Sequence, residues 1–380
     1  MLLKNLTLPG SETGLINIGI RGDRITNNFS KDIEIDFNDA IAFPGLINSH
    51  DHLEFNLFPK LGNMIYEDYV EWGDDIHLNN REVIELVRKV PYELRFRWGL
   101  YKNLLCGITT VAHHGNGIIF NIKGMPGIIN NYNYLHSVRL EKRWTIKLNL
   151  SLNNYPFVIH VGEGTNNKSS DEINKLLKWN LTERKIIAVH GIVLDKELCK
   201  KFTALVWCPA SNLFLYNRTV DVSDLKNGIN ILFGTDSALS SDWNIWNHLR
   251  LARRLGYLND LELYESITEK GADVWGVNSR GSLVENSMAD IVITKRLYDN
   301  SWDSFYNTDP KDILLILKDG RIVFLDKEFE DKCHIINRND FDLIGINNNN
   351  KYVIKGIRVL LERIKEYLPD YEFPFNVISG

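Results

Sequence analysis

Apolar positions along this chain change their period twice. Over the first 43 residues they form short runs separated by turns. Leu15-Ile16-Asn17-Ile18-Gly19-Ile20 leads into an Arg-Gly-Asp turn, and Ile33-Glu34-Ile35-Asp36-Phe37 alternates with period two, both strand signals. The same texture returns late in Ala289-Asp290-Ile291-Val292-Ile293 and Ile313-Leu314-Leu315-Ile316-Leu317. The second of these is followed by a Lys318-Asp319-Gly320 turn and Arg321-Ile322-Val323-Phe324. Neither end carries enough β structure for its own core, so the two are expected to pair into one small β domain.

Between the ends, short β-branched runs alternate with longer helix-period segments, the pattern of a parallel βα fold. Expected strands include Ile108-Thr109-Thr110-Val111-Ala112, Phe157-Val158-Ile159, Ile186-Ile187-Ala188-Val189, Leu205-Val206-Trp207 and Ile231-Leu232-Phe233. Trp144-Thr145-Ile146-Lys147-Leu148 also reads as a strand. Amphipathic helices are expected over 81–105, 171–180 and 265–275. The fold class is therefore α/β: a (β/α)8 TIM-type barrel over 44–280, with a small β-sandwich domain formed by both chain ends, 1–43 plus 281–330. Residues 331–380 read as a C-terminal extension, an Asn-rich linker followed by a helix over 352–368. The stretch 115–156 must supply two βα units and is short for that, with loop-like Gly124-Met125-Pro126-Gly127 and Asn130-Asn131-Tyr132-Asn133-Tyr134.

Composition narrows the class of function. The chain has 380 residues, 44% hydrophobic and 24% charged, with a formal net charge of −5. No basic block is present to neutralise a phosphate backbone, which argues against a nucleic-acid partner. Cys106, Cys199, Cys208 and Cys333 are scattered with no CxxC pair, so neither a disulfide framework nor a thiolate zinc site is expected. The N-terminal residues lack a signal-peptide pattern and no apolar run approaches a membrane span. A cytoplasmic protein with a small-molecule substrate, no membrane partner and a possible homodimeric state is the expectation.

The residues with chemistry sit where the strand runs stop. In His50-Asp51-His52, positions i and i+2 of a strand project to the same side, so the two imidazoles can share a metal, although the pair alone is a weak signal. His160 follows Phe157-Val158-Ile159, His190 follows the run ending at Val189, and Asp236 follows Ile231-Leu232-Phe233-Gly234-Thr235. Each alone is an ordinary polar residue at a loop start. Four strand ends carrying His-x-His, His, His and Asp in that order point to a shared site, because the C-terminal strand ends of such barrels line the active site.

These pieces resemble the amidohydrolase superfamily, nearest the branch of cytosine, guanine and S-adenosylhomocysteine deaminases and triazine hydrolases. The similarity lies in Pro44-Gly45-Leu46-Ile47-Asn48-Ser49-His50-Asp51-His52, His160-Val161-Gly162-Glu163-Gly164, Val189-His190-Gly191, Cys208-Pro209-Ala210-Ser211-Asn212 and Gly234-Thr235-Asp236-Ser237. The re-entry Gly281-Ser282-Leu283 with Met288-Ala289-Asp290-Ile291-Val292 completes it, and the likeness runs over roughly residues 1–325. It implies that His50, His52, His160 and Asp236 hold one divalent metal, zinc first and iron or manganese next. It implies that Glu163 shuttles protons, that His190 touches the attacking water or the substrate, and that Asp236 also accepts the water's proton. Two-metal relatives need a bridging carboxylate, often a carboxylated lysine ending strand four, for which Lys147 is the only candidate nearby and its mid-strand position is poor. The implied activity is a metal-dependent aminohydrolase releasing ammonia from a heterocycle. Cleavage of an amide, another C–N bond or a carbon–halogen bond at the same centre is the alternative, and a non-catalytic scaffold the third. His113 or His114 is a further contact to the site or a structural group. Trp72, Trp243 and Trp246 stack on a planar ring or belong to the core. Ser211 and Asn212 shape the loop they occupy, while His77, His136, His248 and His334 carry no assignment.

Overall fold

The computed structural model describes residues 1–11, 14–28, 33–115, 117–332 and 337–378, so Cys333 and His334 lie outside the described residues. From the N-terminal side come β1 (Leu2–Thr7), β2 (Ile16–Arg21), β3 (Arg24–Thr26) and β4 (Glu34–Pro44). Their apolar alternation buries Leu3, Leu6, Ile18, Ile20, Ile35 and Phe37 in a core shared with residues from 289 to 352.

Eight short strands follow: β5 (Leu46–Asp51), β6 (Ile108–His113), β7 (Gly127–Ile128), β8 (Asn133–Ser137), β9 (Phe157–Val161), β10 (Ile186–His190), β11 (Ala204–Trp207) and β12 (Asn230–Phe233). They form two parallel sheets in sequence order, β5-β6-β7 and β8 through β12. The backbone N–H groups of Thr235 and Asp236 donate to His50 O at 3.1 and 3.0 Å, which sets the exit of β12 against β5. Alternation divides each strand between two cores. Val158, Ile187, Val189, Val206 and Leu232 pack on each other inside. Phe157, Ile159, Ile186, Ala188, Leu205 and Trp207 pack outward, in the cluster that includes the helices. Strands buried on both faces are what a parallel sheet covered by helices requires.

The last strands are β13 (Ile291–Thr294), β14 (Ile313–Lys318), β15 (Arg321–Asp326), β16 (Phe341–Ile346), β17 (Asn349–Ile354) and β18 (Asn376–Val377). They join the first four in one ten-stranded sheet, β18-β16-β17-β15-β14-β13-β4-β1-β2-β3. The extension expected past residue 330 is thus partly sheet. The Asn-rich segment is a hairpin turn, with Asn347 and Asn348 at φ 46° and 67° between paired Ile346 and Asn349. Two left-handed residues in a two-residue loop match the strand twist, and asparagine tolerates that conformation.

Several local expectations change. The helix over 352–368 is shorter, Ile357–Lys365, because 352–354 pair in β17 and Gly356 turns the chain at φ 119°. The helical stretch over 81–105 is two helices, Arg81–Arg88 and Tyr92–Leu105, broken at Pro91. The stretch over 265–275 likewise divides into Asp260–Ser266 and Glu269–Trp275. Trp144–Leu150 is a helix rather than a strand and buries Trp144 and Leu148, an i, i+4 pair. The short region 115–156 accommodates its two strands by joining β7 to β8 through four residues, with no helix between them. Among the described residues no helix is long and apolar enough to cross a membrane.

Candidate metal centre and active site

The polar cluster stands at the C-terminal ends of the parallel strands. His50 lies one residue before the end of β5 with its ring buried, and His52 lies one residue beyond the strand, ring centroids 4.9 Å apart. His160 continues the inward face of Val158 on β9. On β10 the alternation would send His190 outward with Ile186 and Ala188. Its φ of 68° breaks the alternation and turns the ring toward His160, 5.4 Å away. Asp236 is also left-handed, at φ 57°. Non-glycine residues held there cost roughly 1–3 kcal/mol each, and such strain concentrates at working sites.

The ligand atoms converge. His160 Nε2 lies 3.3 Å from the Nε2 atoms of both His50 and His52. Asp236 Oδ1 lies 3.8 and 3.7 Å from the same two nitrogens. Donors bound about 2.0–2.1 Å from a tetrahedral ion stand roughly 3.3–3.4 Å apart, so this donor set fits one divalent metal. Burial holds His50 and His160 well below the usual histidine range, which keeps the imidazoles neutral. His160 Nδ1 faces His136 O at 2.9 Å, a carbonyl that fixes the proton there and leaves Nε2 its lone pair. Asp236 Oδ2 accepts from Ser211 Oγ at 2.7 Å and Ser240 Oγ at 2.8 Å. Burial alone would raise Asp236, but the His52 and His190 rings and the two hydroxyls hold it below the usual carboxylate range.

Glu163 leaves β9 through a turn in which Gly162 has φ 64° and Gly164 φ 153°. A Cβ on Gly164 would meet Glu67 O at 2.6 Å, so only glycine fits. The Glu163 carboxyl is buried, which pushes its pKa up, and Tyr216 Oη donates to its Oε1 at 2.9 Å. His190 Nε2 lies 3.7 Å from the same oxygen. His190 Nδ1 donates to Asn212 Oδ1 at 2.7 Å, which leaves Nε2 an acceptor in the neutral ring. Tyr216→Phe removes a hydrogen bond that favours the ionised Glu163, so its pKa rises further. If Glu163 works as a base, the acid limb of kcat/KM moves to higher pH by roughly one unit. A pH–rate profile that does not move would separate Tyr216 from the titration.

All six residues expected at the site therefore meet: five line a cavity of about 220 Å³, and His50 lies fully buried beside them. Of the three tryptophans only Trp72 lines it; Trp246 is core against Phe43 and Phe305, and Trp243 packs against the core. His113 turns away, with Nδ1 3.8 Å from Glu54. His114 packs behind His160 at 4.2 Å with Nε2 on Leu135 O, and it does not line the cavity. Lys147 is paired with Glu141 at the surface and reaches no ligand. Ser211 and Asn212 lie in the helix Pro209–Tyr216 rather than in a loop, and from it they orient Asp236 and His190. Tyr216, His136 and Glu172 carried no sequence signal. Tyr216 ends the helix Pro209–Tyr216, which stands where the sequence reads as a turn.

Glu172 accepts from Tyr69 Oη at 2.8 Å and Val138 N at 3.1 Å behind the cavity wall. Burial lifts its pKa from 4.5 to about 7. The stability contributed by the protonated form is full below pH 4.5 and lost as pH rises through about 7, with a limit of about 3 kcal/mol. Glu172→Gln is therefore expected to gain stability relative to the parent between pH 5 and 8 in urea melts. Parallel curves for the two proteins would contradict the shift.

Residues 150–323 match the Amidohydrolase family. A 5-methylthioadenosine/S-adenosylhomocysteine deaminase of Caldicellulosiruptor saccharolyticus is 28% identical over 206 residues, which span 46% of this chain and 47% of that protein. A 5'-deoxyadenosine deaminase of Methanosphaera stadtmanae is 23% identical over 371 residues, spanning 77% of this chain and 84% of that protein. The zinc-complexed atrazine chlorohydrolase of Arthrobacter aurescens superposes with a TM-score of 0.71 at 17% identity, covering 97% of this chain and 100% of that one. Its likeness extends the fold to the whole described molecule, the α/β arrangement of a TIM barrel. Residues 150–323 thus carry the Amidohydrolase-family match, and the fold of that zinc-complexed structure extends over 97% of this chain.

Proposed function

We propose that the chain is a metal-dependent aminohydrolase that removes an amino group from a heterocyclic small molecule. The observation that carries this is the convergence of His50, His52, His160 and Asp236 beside a buried Glu163. These four residues hold one divalent cation, with zinc the first choice from three imidazoles and a carboxylate. Bound there, the cation supplies the Lewis acidity that makes water a nucleophile near neutral pH.

The protein's own groups do the rest. Glu163, its carboxyl raised by burial, carries one proton of the attacking water to a ring nitrogen, and the second, released through Asp236 as the adduct collapses, goes to the leaving amine. His190 presents Nε2 to the nucleophile, its tautomer set by Asn212. Asp236 keeps Oδ1 in the donor set while Ser211 and Ser240 occupy Oδ2. The closing contact of β12 on β5 supports a closed (β/α)8 barrel over 44–280, with the ten-stranded sheet as the small β domain of both ends. Buried free thiols at Cys106, Cys199 and Cys208 suit a reducing cytoplasm.

Ammonia release across amino-purines, amino-pyrimidines, pterins and amino-triazines tests the reading, with Glu163→Gln as the control. Ammonia from one ring class, lost in the variant, is the expected result. Silence across the panel from protein shown to hold metal would transfer the assignment to amide or carbon–halogen hydrolysis, which differ only in the leaving group.

A further inference from the structure

We propose that this pocket selects a planar amino-heteroaromatic ring bearing an apolar substituent over the same ring bearing a sugar, an inference that rests on the aminohydrolase reading. The cavity has two ends of opposite character. At the floor, Glu163, Ser237 and His136 stand with the ligand atoms and give ring nitrogens and an amino group their polar partners. Beyond the floor the walls are Phe55, Phe58, Tyr69, Trp72, Ile76 and Leu239.

The polar tips of these walls are engaged elsewhere. Trp72 Nε1 donates to Leu61 O at 2.8 Å, and Tyr69 Oη donates to Glu172 at 2.8 Å. What faces the cavity is ring and methyl surface. Phe55 stacks near-parallel on His52 at 5.5 Å, and Phe58 meets Phe55 edge-on at 5.8 Å, so the aromatic lining is continuous and apolar. Among the described residues lining the cavity, the carboxylates are Glu163 and Asp236 and no side-chain amide is present. The remaining polar groups, His77 and Arg88, are exposed at the rim.

A ribose carries hydroxyls that lose water on entry and need acceptors or donors in return. Short of His77 and Arg88 at the rim, each finds none against these walls, and an unpaired buried hydroxyl weakens binding by roughly 10-fold or more. An alkyl or alkylthio group of similar size meets only favourable contact. The preference runs against the nucleosides in the names of the sequence relatives.

Matched pairs decide it: 9-propyladenine against adenosine, and alkyl against ribosyl forms of an amino-pyrimidine and an amino-triazine. Binding is read by isothermal titration to zinc-loaded Glu163→Gln, where turnover is suppressed, and ammonia release is read with the parent. The alkyl member is expected to bind about 10–100-fold tighter in the ring class that fits, the range of an apolar pocket's discrimination. Equal or tighter binding of the ribosyl member in every class overturns the proposal, as does no binding by any alkyl member. Alkyl preference without ammonia from any ring sinks the aminohydrolase reading and leaves the selectivity standing. Ile76→Asn, which puts an amide in the wall, is expected to narrow the ratio at least 10-fold. Should that protein fail to fold, Phe58→Gln asks the same question from the opposite wall, and an unchanged ratio in a folded variant counts against the proposal.

Discussion

Glu163→Gln is expected to retain its metal and to lose about 10²–10⁴ in kcat, the size of a single positioned proton-transfer group. The two halves of that outcome come from different parts of the site. The four converging donors are His50, His52, His160 and Asp236, so the amide exchange removes none of them. The carboxamide keeps an oxygen for Tyr216 Oη, so the local fold survives. What it lacks is a titratable oxygen 3.7 Å from His190 Nε2, where a proton is held between two transfers. Metal analysis of the purified variant and steady-state kinetics read the two halves separately. Lost metal would mean that Glu163 belongs to the donor set, and near-parent turnover would place the proton shuttle elsewhere.

Lys102→Met is expected to cost about 3–5 kcal/mol of stability, from a residue that touches no ligand atom. Asp51 lies between the two histidines of the His-x-His pair, and strand alternation points it away from them into the fold. Its Oδ2 meets Lys102 Nζ at 3.1 Å and Asn103 Nδ2 at 2.8 Å, while Oδ1 accepts from Asn56 at 2.8 Å. Asn48 joins the same knot and bonds Thr235 Oγ1 at 2.8 Å, which ties the exit of β5 to that of β12. Both charges are fully buried, so methionine leaves a carboxylate without its cation and without water. The double variant Asp51→Asn/Lys102→Met is expected to recover most of the loss. A loss under about 1 kcal/mol in the single variant would mean that Asp51 is neutral in the folded chain.

The site was legible at the strand ends because catalytic chemistry there sits against β-branched runs that stop abruptly. His160 after Phe157-Val158-Ile159 and Asp236 after Ile231-Leu232-Phe233 announce themselves this way, and the structure places both in the cluster. Residues that act on these from a distance leave no such mark. Asn212 and Tyr216 reach His190 and Glu163 from one helix, at positions 22 and 53 residues away in sequence. His190 itself faces inward only through a left-handed backbone that alternation does not foresee. The misread strand at Trp144-Thr145-Ile146-Lys147-Leu148 shows why short apolar runs are ambiguous. Burial at Trp144 and Leu148 is helical spacing, but five residues satisfy either period. The Asn347-Asn348 turn was present as a hairpin signal and was hidden within an asparagine-rich composition.

The pairing of β4 with β13 has a consequence for synthesis. Pro44 meets Ile291 in that ladder, so the two partners leave the ribosome about 250 residues apart. At 5–20 residues per second the first four strands wait roughly 12–50 s with one long sheet edge unpaired. β4 is eleven residues long and largely buried in the finished protein, the kind of edge that recruits other chains while it waits. The nascent chain is thus exposed to aggregation for most of its own translation, and slowing synthesis after residue 44 lengthens that exposure.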